Sequence, residues 1–120
     1  ARFGYSTAFL GCWVRDHGIM PLEAAVSKLS FRVASVFGLN DRGLLRSGLA
    51  ADIAVFDPAT VNTLEPEYVR DLPGNETRMI QKAAGVPHTI VNGEVVIENG
   101  APTGARPGKL LRGPRPAPSH

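Results

Sequence analysis

The stretch TIVNGEVVIE, residues 89–98, decides the fold of the second half of this protein. Two runs rich in β-branched residues flank the dipeptide Asn92-Gly93. Asn-Gly between such runs is the strongest short-range signal for a two-residue β-hairpin, because both central residues of that turn need positive φ. The sequence therefore predicts antiparallel strands over 89–91 and 94–98, with the second strand ending at Asn99-Gly100.

A further strand is predicted upstream, over residues 52–56, where Asp-Ile-Ala-Val-Phe precedes Asp57-Pro58. Apolar residues occupy both alternating faces of this run, so we expect both faces to be covered. The connection over 59–85 is rich in Pro and Gly and reads as irregular, with short strand pieces at Tyr68-Val69 and Met79-Ile80.

The first forty residues carry the spacing of short helices rather than strands. A helix over 5–17 presents an apolar stripe in steps of four residues. The stripe consists of Tyr5, Phe9, Trp13 and His17, and it is flanked by Leu10 and Val14. Ser6 or Thr7 is expected to cap the start of this helix, and Gly18 is expected to end it.

Two shorter helices are predicted next. The first begins near Pro21 and has apolar positions at Leu22, Ala25, Val26 and Leu29. The second is capped by Ser30, carries Phe31, Ala34 and Val36, and ends at Gly38. Three short helices leave apolar faces that must pack against each other or against a partner.

Composition limits the classes of protein that are possible. With 120 residues, of which 43% are hydrophobic, the sequence is one domain at most or a piece of a larger one. The single cysteine excludes an internal disulfide framework, and the apolar runs are too broken to span a membrane. The start of the sequence does not have the pattern of a signal peptide. It also lacks Met, which we interpret as the sign of a processed or excised segment.

The formal net charge of +2 is unevenly distributed. Acidic side chains outnumber basic ones in residues 1–98, whereas residues 99–120 contain basic side chains and no acidic one. This basic region contains no aromatic side chain, so we expect no nucleic-acid binding. The stretch 113–120, which begins at Gly113 and contains Pro114, Pro116 and Pro118, is predicted to be a disordered tail.

No catalytic motif is present in the sequence: it lacks H-x-H, H-E-x-x-H, C-x-x-C and G-x-S-x-G. We therefore assign no catalytic, cofactor-binding or metal-binding residue. Cys12 is interpreted as a small buried residue rather than a nucleophile. His17 is interpreted as a helix C-terminal residue rather than a metal ligand, and His88 as an exposed residue at the start of a strand.

Three charged residues near the predicted strand have two readings each. Asp52 and Asp57 look like turn and cap residues rather than a catalytic carboxylate pair. Arg42, in Asp41-Arg42-Gly43, has two interpretations. The one that we prefer is a structural clamp that binds carbonyl oxygens or a carboxylate, and the other is a substrate contact.

The order of several segments resembles a known family. These segments are YSTAFLGCWVR (5–15), PLEAAVSKLS (21–30), GLNDRG (38–43), GLAADIAVFDP (48–58), TIVNGEVVIENG (89–100) and TGARPGKLLRG (103–113). Together they resemble the C-terminal region of metal-dependent amidohydrolases, specifically the D-aminoacylase (N-acyl-D-amino-acid deacylase) branch.

The resemblance implies an α+β fragment. Residues 1–47 would hold the last helices of a TIM-type barrel, residues 48–112 would form part of a small β-sandwich, and 113–120 would be the tail. Zinc is expected in the full-length enzyme, bound by earlier residues, so the resemblance assigns no ligand to this segment. The missing barrel would be its main partner, a homo-oligomer is also open, and a cytoplasmic location is expected.

The function implied is hydrolysis of non-peptide C–N bonds, with N-acyl-D-amino acids as substrates, by a protein in which this segment is structural. The alternative is a stand-alone binding or assembly module that uses residues 59–85 or a hairpin edge to hold a partner. A third hypothesis is a small enzyme that uses Cys12.

Overall fold

The computed structural model describes residues 4–112 and has an α+β architecture, as predicted. Contacts divide these residues into two compact units. Unit 1 consists of residues 4–22 and 56–86, and unit 2 consists of residues 23–55 and 87–112. No helix between residues 4 and 112 is both long and apolar enough to cross a bilayer.

Unit 1 begins with α1 (Tyr5–Ala8), which runs directly into a π-helical segment, Phe9–Asp16. The wider hydrogen bonding of this segment is seen where the N–H of His17 donates to the carbonyl oxygen of Cys12, five residues earlier, at 3.0 Å. The predicted end at Gly18 is confirmed, since its φ is +60°.

Two details predicted for this helix are wrong. The N-cap is Gly4, which has no side chain to offer; the hydroxyl of Thr7 instead donates to the Gly4 carbonyl oxygen at 3.3 Å. The buried positions are Leu10, Gly11 and Val14, while the predicted stripe is exposed at Tyr5 (68%) and at Trp13 (50%). The flanking residues Leu10 and Val14, rather than the predicted stripe, therefore supply the buried side chains of this segment.

The segment 59–85 is built of paired strands rather than irregular structure. Strand β2 (Asn62–Thr63) pairs antiparallel with β5 (Ala83–Ala84), and β3 (Glu67–Val69) pairs antiparallel with β4 (Arg78–Ile80). A 3₁₀ turn, Pro73–Asn75, lies between β3 and β4. The predicted pieces at 68–69 and 79–80 are confirmed, whereas β2 and β5 are too short to show any alternation in the sequence.

Val61 is the centre of the core of unit 1, with 1% of its surface exposed. A Cβ atom at Gly85 would lie 2.5 Å from the nitrogen of Val61, and Gly85 also has a φ of +76°. Glycine at position 85 is therefore required both by space and by backbone conformation.

Unit 2 contains most of α2 (Leu22–Leu29), which starts directly after Pro21 as predicted, and α3 (Phe31–Val36). Its buried helical side chains are Ala25 and Ala34. The predicted cap of α3 by the Ser30 side chain is wrong, because its hydroxyl donates to the carbonyl oxygen of Val26 at 2.6 Å. The Ser30 hydroxyl is therefore bonded to α2 and does not cap α3.

A four-stranded antiparallel sheet completes unit 2. Its strands are β1 (Ile53–Val55), β6 (His88–Val91), β7 (Glu94–Glu98) and β8 (Ala101–Pro102), in the order β1-β6-β7-β8. The predicted hairpin is confirmed, with φ values of +47° at Asn92 and +80° at Gly93. Asn99-Gly100 is a second turn of the same kind, and it leads into β8, which the sequence analysis missed.

The expectation that β1 is covered on both faces is wrong. Ile53 is half-buried, but Ala54 and Val55 are exposed. In this antiparallel sheet β1 is an edge strand, and the described residues leave Ala54 and Val55 exposed. The division into barrel and sandwich parts at 47/48 stays a prediction, and the predicted tail over 113–120 lies outside the described residues.

Candidate functional site

In unit 2, Arg42 lies in the loop between α3 and β1 and is bound to two carboxylates. It donates from Nε and Nη2 to Asp41 at 3.2 and 3.3 Å, and from Nη1 to Asp52. Only 16% of the Arg42 side chain is exposed. The hydrogen bond with Arg42 holds the pKa of Asp41 below its ordinary value of 3.8, and the same hydrogen bond with Asp41 raises the pKa of the guanidinium.

Asp52 extends this cluster to the hairpin. Its second oxygen, Oδ1, accepts the backbone N–H of Asn92 at 2.9 Å, and the next N–H, of Gly93, donates to the carbonyl oxygen of Ala51 at 3.0 Å. The series Arg42–Asp52–Asn92 therefore ties the helix-to-strand loop to the β6–β7 turn. All three guanidinium nitrogens of Arg42 are engaged with carboxylates, which is the geometry of a structural clamp rather than of a substrate contact.

In unit 1, Arg15 forms a second clamp that the sequence analysis missed. Its Nη1 donates to three backbone carbonyl oxygens, those of Pro58 at 3.4 Å, Ala59 at 3.2 Å and Val61 at 2.7 Å. Its Nε donates to Asp16 at 2.9 Å. Arg15 stood off the apolar stripe with no signal in the sequence, because its carbonyl partners are more than forty residues away.

A half-open cavity of about 190 Å³ lies beside this second clamp. It is lined by Leu10, Val14, Arg15, Met20, Leu22, Pro58 and Val61. The lining is mostly apolar and contains no carboxylate, histidine or thiol. Such a depression accommodates an apolar group but offers no acid, base or nucleophile for catalysis.

The other candidates from the sequence are placed as follows. Cys12 is half-buried within the π-helical segment. His17 is the C-terminal cap residue of that segment, as interpreted, and its ring lies 5.3 Å from that of Trp13.

His88, the first residue of β6, is half-buried rather than exposed as expected, since β1 and β7 flank it. Asp57 accepts the N–H of Ala59 at 2.9 Å, which confirms its reading as a turn residue.

The donor groups of the described residues do not fit a zinc ion. Within residues 4–112, no three His, Cys, Asp or Glu side chains come together in a way that could hold a metal. The carboxylates of Asp41 and Asp52 face the cationic Arg42, and Asp71 is bound in a two-pronged pair by Arg78 at 2.6 and 2.7 Å. A positively charged arginine bound to a carboxylate repels a metal cation that would bind the same oxygens.

Comparison with known proteins finds a matching family model and similar proteins. A model of the amidohydrolase family matches residues 4–97. The sequence is 41% identical over 110 residues to N-acyl-D-glutamate deacylase from Alcaligenes xylosoxydans xylosoxydans, a match that covers 20% of that protein and 92% of this one. It is also 41% identical over 103 residues to D-aminoacylase from the same organism, covering 19% of the relative and 85% of this protein.

A solved structure supports the same relationship. N-acyl-D-glutamate deacylase from Bordetella bronchiseptica, complexed with zinc and a phosphonate inhibitor, is similar with a TM-score of 0.68 and 36% identity. The match covers 20% of that protein and 88% of this one. The resemblance to the D-aminoacylase branch is thereby confirmed, and the sequence spans about a fifth of the length of the relatives that it matches.

Proposed function

This protein belongs to the amidohydrolase family, and we propose that it is the C-terminal, structural portion of an enzyme that hydrolyses N-acyl-D-amino acids. The observation that carries the proposal is the 41% identity to N-acyl-D-glutamate deacylase, which runs through 92% of the sequence. A match at this level of identity over nearly the whole sequence supports a shared role for the whole segment.

The contacts of the charged side chains support a bracing role. Arg42 joins a helix-to-strand loop to a hairpin through Asp52, and Arg15 gathers three backbone carbonyl oxygens around Val61. These groups are engaged with the protein itself. In the proposed longer enzyme, zinc would activate water for attack on the amide carbonyl, and its ligands would come from residues outside this segment.

The substrate is proposed only as a class. A relative that acts on N-acyl-D-glutamate and one described as a D-aminoacylase are equally similar, at 41% identity each. This segment therefore does not rank one D-amino acid above another. The side-chain preference and the acyl group would be set by the part of the enzyme that holds the reactive centre.

The proposed partner is a barrel from the same protein. In unit 2, α3 and the residues after it expose large apolar side chains, namely Val33 (47%), Val36 (83%), Phe37 (69%) and Leu45 (78%). Large apolar side chains exposed to this degree in one short stretch favour an interface that a partner covers. We also propose that residues 5–37 form the last helices of this barrel and that the strands of the segment belong to the β-sandwich. A cytoplasmic location is proposed as well.

The test is hydrolysis of N-acetyl-D-amino acids, with the L-enantiomers as the matched substrate control, by the longer protein that contains this segment. We expect release of the D-amino acid alone and loss of that activity after removal of zinc. A Cys12→Ser variant should retain the activity, since the proposal gives this thiol no role. If the longer protein hydrolyses neither enantiomer, the proposal is wrong and the binding-module alternative gains. If Cys12→Ser abolishes turnover, the hypothesis of a cysteine enzyme gains instead.

A further inference from the structure

The dipeptide Asn-Gly occurs twice in unit 2, and the structure gives both copies nearly the same backbone conformation. The φ values are +47° and +80° in Asn92-Gly93, and +50° and +80° in Asn99-Gly100. Each glycine N–H also donates to a backbone carbonyl oxygen at 3.0 Å, that of Ala51 in the first turn and that of Pro87 in the second. The two turns are therefore matched in sequence, conformation and backbone bonding, and they differ in the contacts of the asparagine.

Asparagine before glycine is chemically labile, because glycine has no side chain to hinder attack by its own backbone nitrogen. That nitrogen loses its proton and forms a bond to Cγ of the asparagine. The bond between Cγ and Nδ2 breaks, and the amide nitrogen leaves as ammonia with the transferred proton. Water then opens the resulting five-membered succinimide at either carbonyl, which yields aspartate or isoaspartate.

Asn92 is held away from this reaction by two hydrogen bonds. Its amide Nδ2 donates to the carbonyl oxygen of Pro107 at 2.8 Å, and its backbone N–H donates to Asp52 at 2.9 Å. Asp52 is itself fixed by Arg42. Ring closure requires the amide group to rotate towards the next nitrogen, so the bond from Nδ2 must first be released. The backbone bond to Asp52 opposes closure in a second way, because it restrains the turn that must distort.

Asn99 has a different environment. The side chain is exposed, and within residues 4–112 it makes no hydrogen bond. The strand that follows, β8, consists of two exposed residues at the edge of the sheet. A short edge strand opens at low cost in free energy, and Gly100 directly precedes this strand.

We propose that Asn99 is a site of spontaneous deamidation in the folded protein and that Asn92 is protected from it. The isoaspartate product adds an atom to the backbone of a two-residue turn whose register is Glu98↔Ala101 and Ile97↔Pro102. A two-residue turn does not tolerate that extension, because turn length fixes the register of the hairpin. Formation of isoaspartate at Asn99 therefore detaches β8 from β7.

The test is incubation of the intact protein at mildly alkaline pH, followed by digestion with a glutamate-specific protease and mass spectrometry. Cleavage after Glu94 and Glu98 separates the two asparagines into different peptides. We expect deamidation at Asn99 to be roughly tenfold faster than at Asn92, given two hydrogen bonds that each contribute about threefold.

The same protein in denaturant is the matched control, and there the two rates should become similar because the dipeptides are identical. In an Asp52→Ala variant the rate at Asn92 should rise while that at Asn99 stays unchanged; if this variant is unfolded, its two rates will match those of the denatured control. Similar rates in the folded protein, a faster reaction at Asn92, or no detectable reaction at Asn99 would each overturn the proposal.

Discussion

Gly11 lies so close to the backbone of Val61 that a Cβ atom at position 11 would overlap the carbonyl oxygen of Val61. The same oxygen accepts a hydrogen bond from Nη1 of Arg15 at 2.7 Å. The π-helical segment and the residues before β2 are thus in backbone contact, fastened by an arginine one turn further along. This contact fixes the core of unit 1, since Val61 is its most buried side chain.

A Gly11→Ala substitution should destabilise the protein even though alanine is the better helix former. We expect a loss of about 1–3 kcal/mol in the free energy of unfolding, as for other overpacked cores. Gly108→Ala is the control, because a Cβ atom there meets no atom within 4 Å, and it should change stability by less than about 0.5 kcal/mol. Denaturant unfolding measures both, and a more stable Gly11→Ala variant would show that the contact does not exist.

Asp52 and Asp41 both bind Arg42, but only Asp52 also binds the hairpin turn. Asp52→Ala should therefore cost about 2 kcal/mol of unfolding free energy, since it leaves two hydrogen-bonding partners unsatisfied. Asp41→Ala, which removes an exposed carboxylate, should cost much less. Equal losses of unfolding free energy in the two variants would mean that the bond between Asp52 and the hairpin turn does not stabilise the protein.

Acid should weaken the β3–β4 hairpin through Asp71. Hydrogen bonding to Arg78 holds the pKa of Asp71 below its ordinary value of 3.8, so the carboxylate binds its proton less readily in the folded protein than in the unfolded one. The stabilisation is complete above the unfolded pKa and is lost as the pH falls below 3.8 through the folded pKa.

An Arg78→Gln variant should accordingly be less stable than the unmodified protein at neutral pH, and the difference should shrink in strong acid. Arg70→Gln, at a neighbouring exposed position, is the control. Thermal unfolding followed across the acid range measures the difference. A difference that persists unchanged in strong acid would contradict the assignment to Asp71.

The proposed barrel partner predicts that the effect of substitutions on α3 depends on context. Val36 is 83% exposed in the structure, so Val36→Ser in the 120-residue segment should change stability by less than about 0.5 kcal/mol. In the longer protein the same substitution should cost about 1–2 kcal/mol, because the valine would be buried there. Equal effects in both proteins would place Val36 outside any interface.

Elements that depend on local backbone constraints were predictable from the sequence. Gly18 and Gly38 end helices by accepting positive φ, and Asn92-Gly93 makes a two-residue turn for the same reason. Arg42 was recognisable as a clamp because an arginine fork beside Asp41 suits carboxylates. The sequence left the substrate-contact reading open, and the engagement of all three nitrogens decides for the clamp.

Elements that depend on distant contacts were not predictable. The π-helical form of Phe9–Asp16 and its shifted buried face go with the backbone contact to Val61, some fifty residues away. The three carbonyl partners of Arg15 are equally distant in sequence. Strands β2 and β5 each have two residues, and a pattern of alternation needs more.

The central claim is that this segment braces an amidohydrolase whose reactive groups lie in other residues. The most direct measurement is zinc-dependent release of D-amino acid from N-acetyl-D-amino acids by the purified 120-residue segment, beside the longer protein under the same conditions. The account predicts turnover by the longer protein and none by the 120-residue segment with zinc in excess. Zinc-dependent turnover by the segment alone would contradict it.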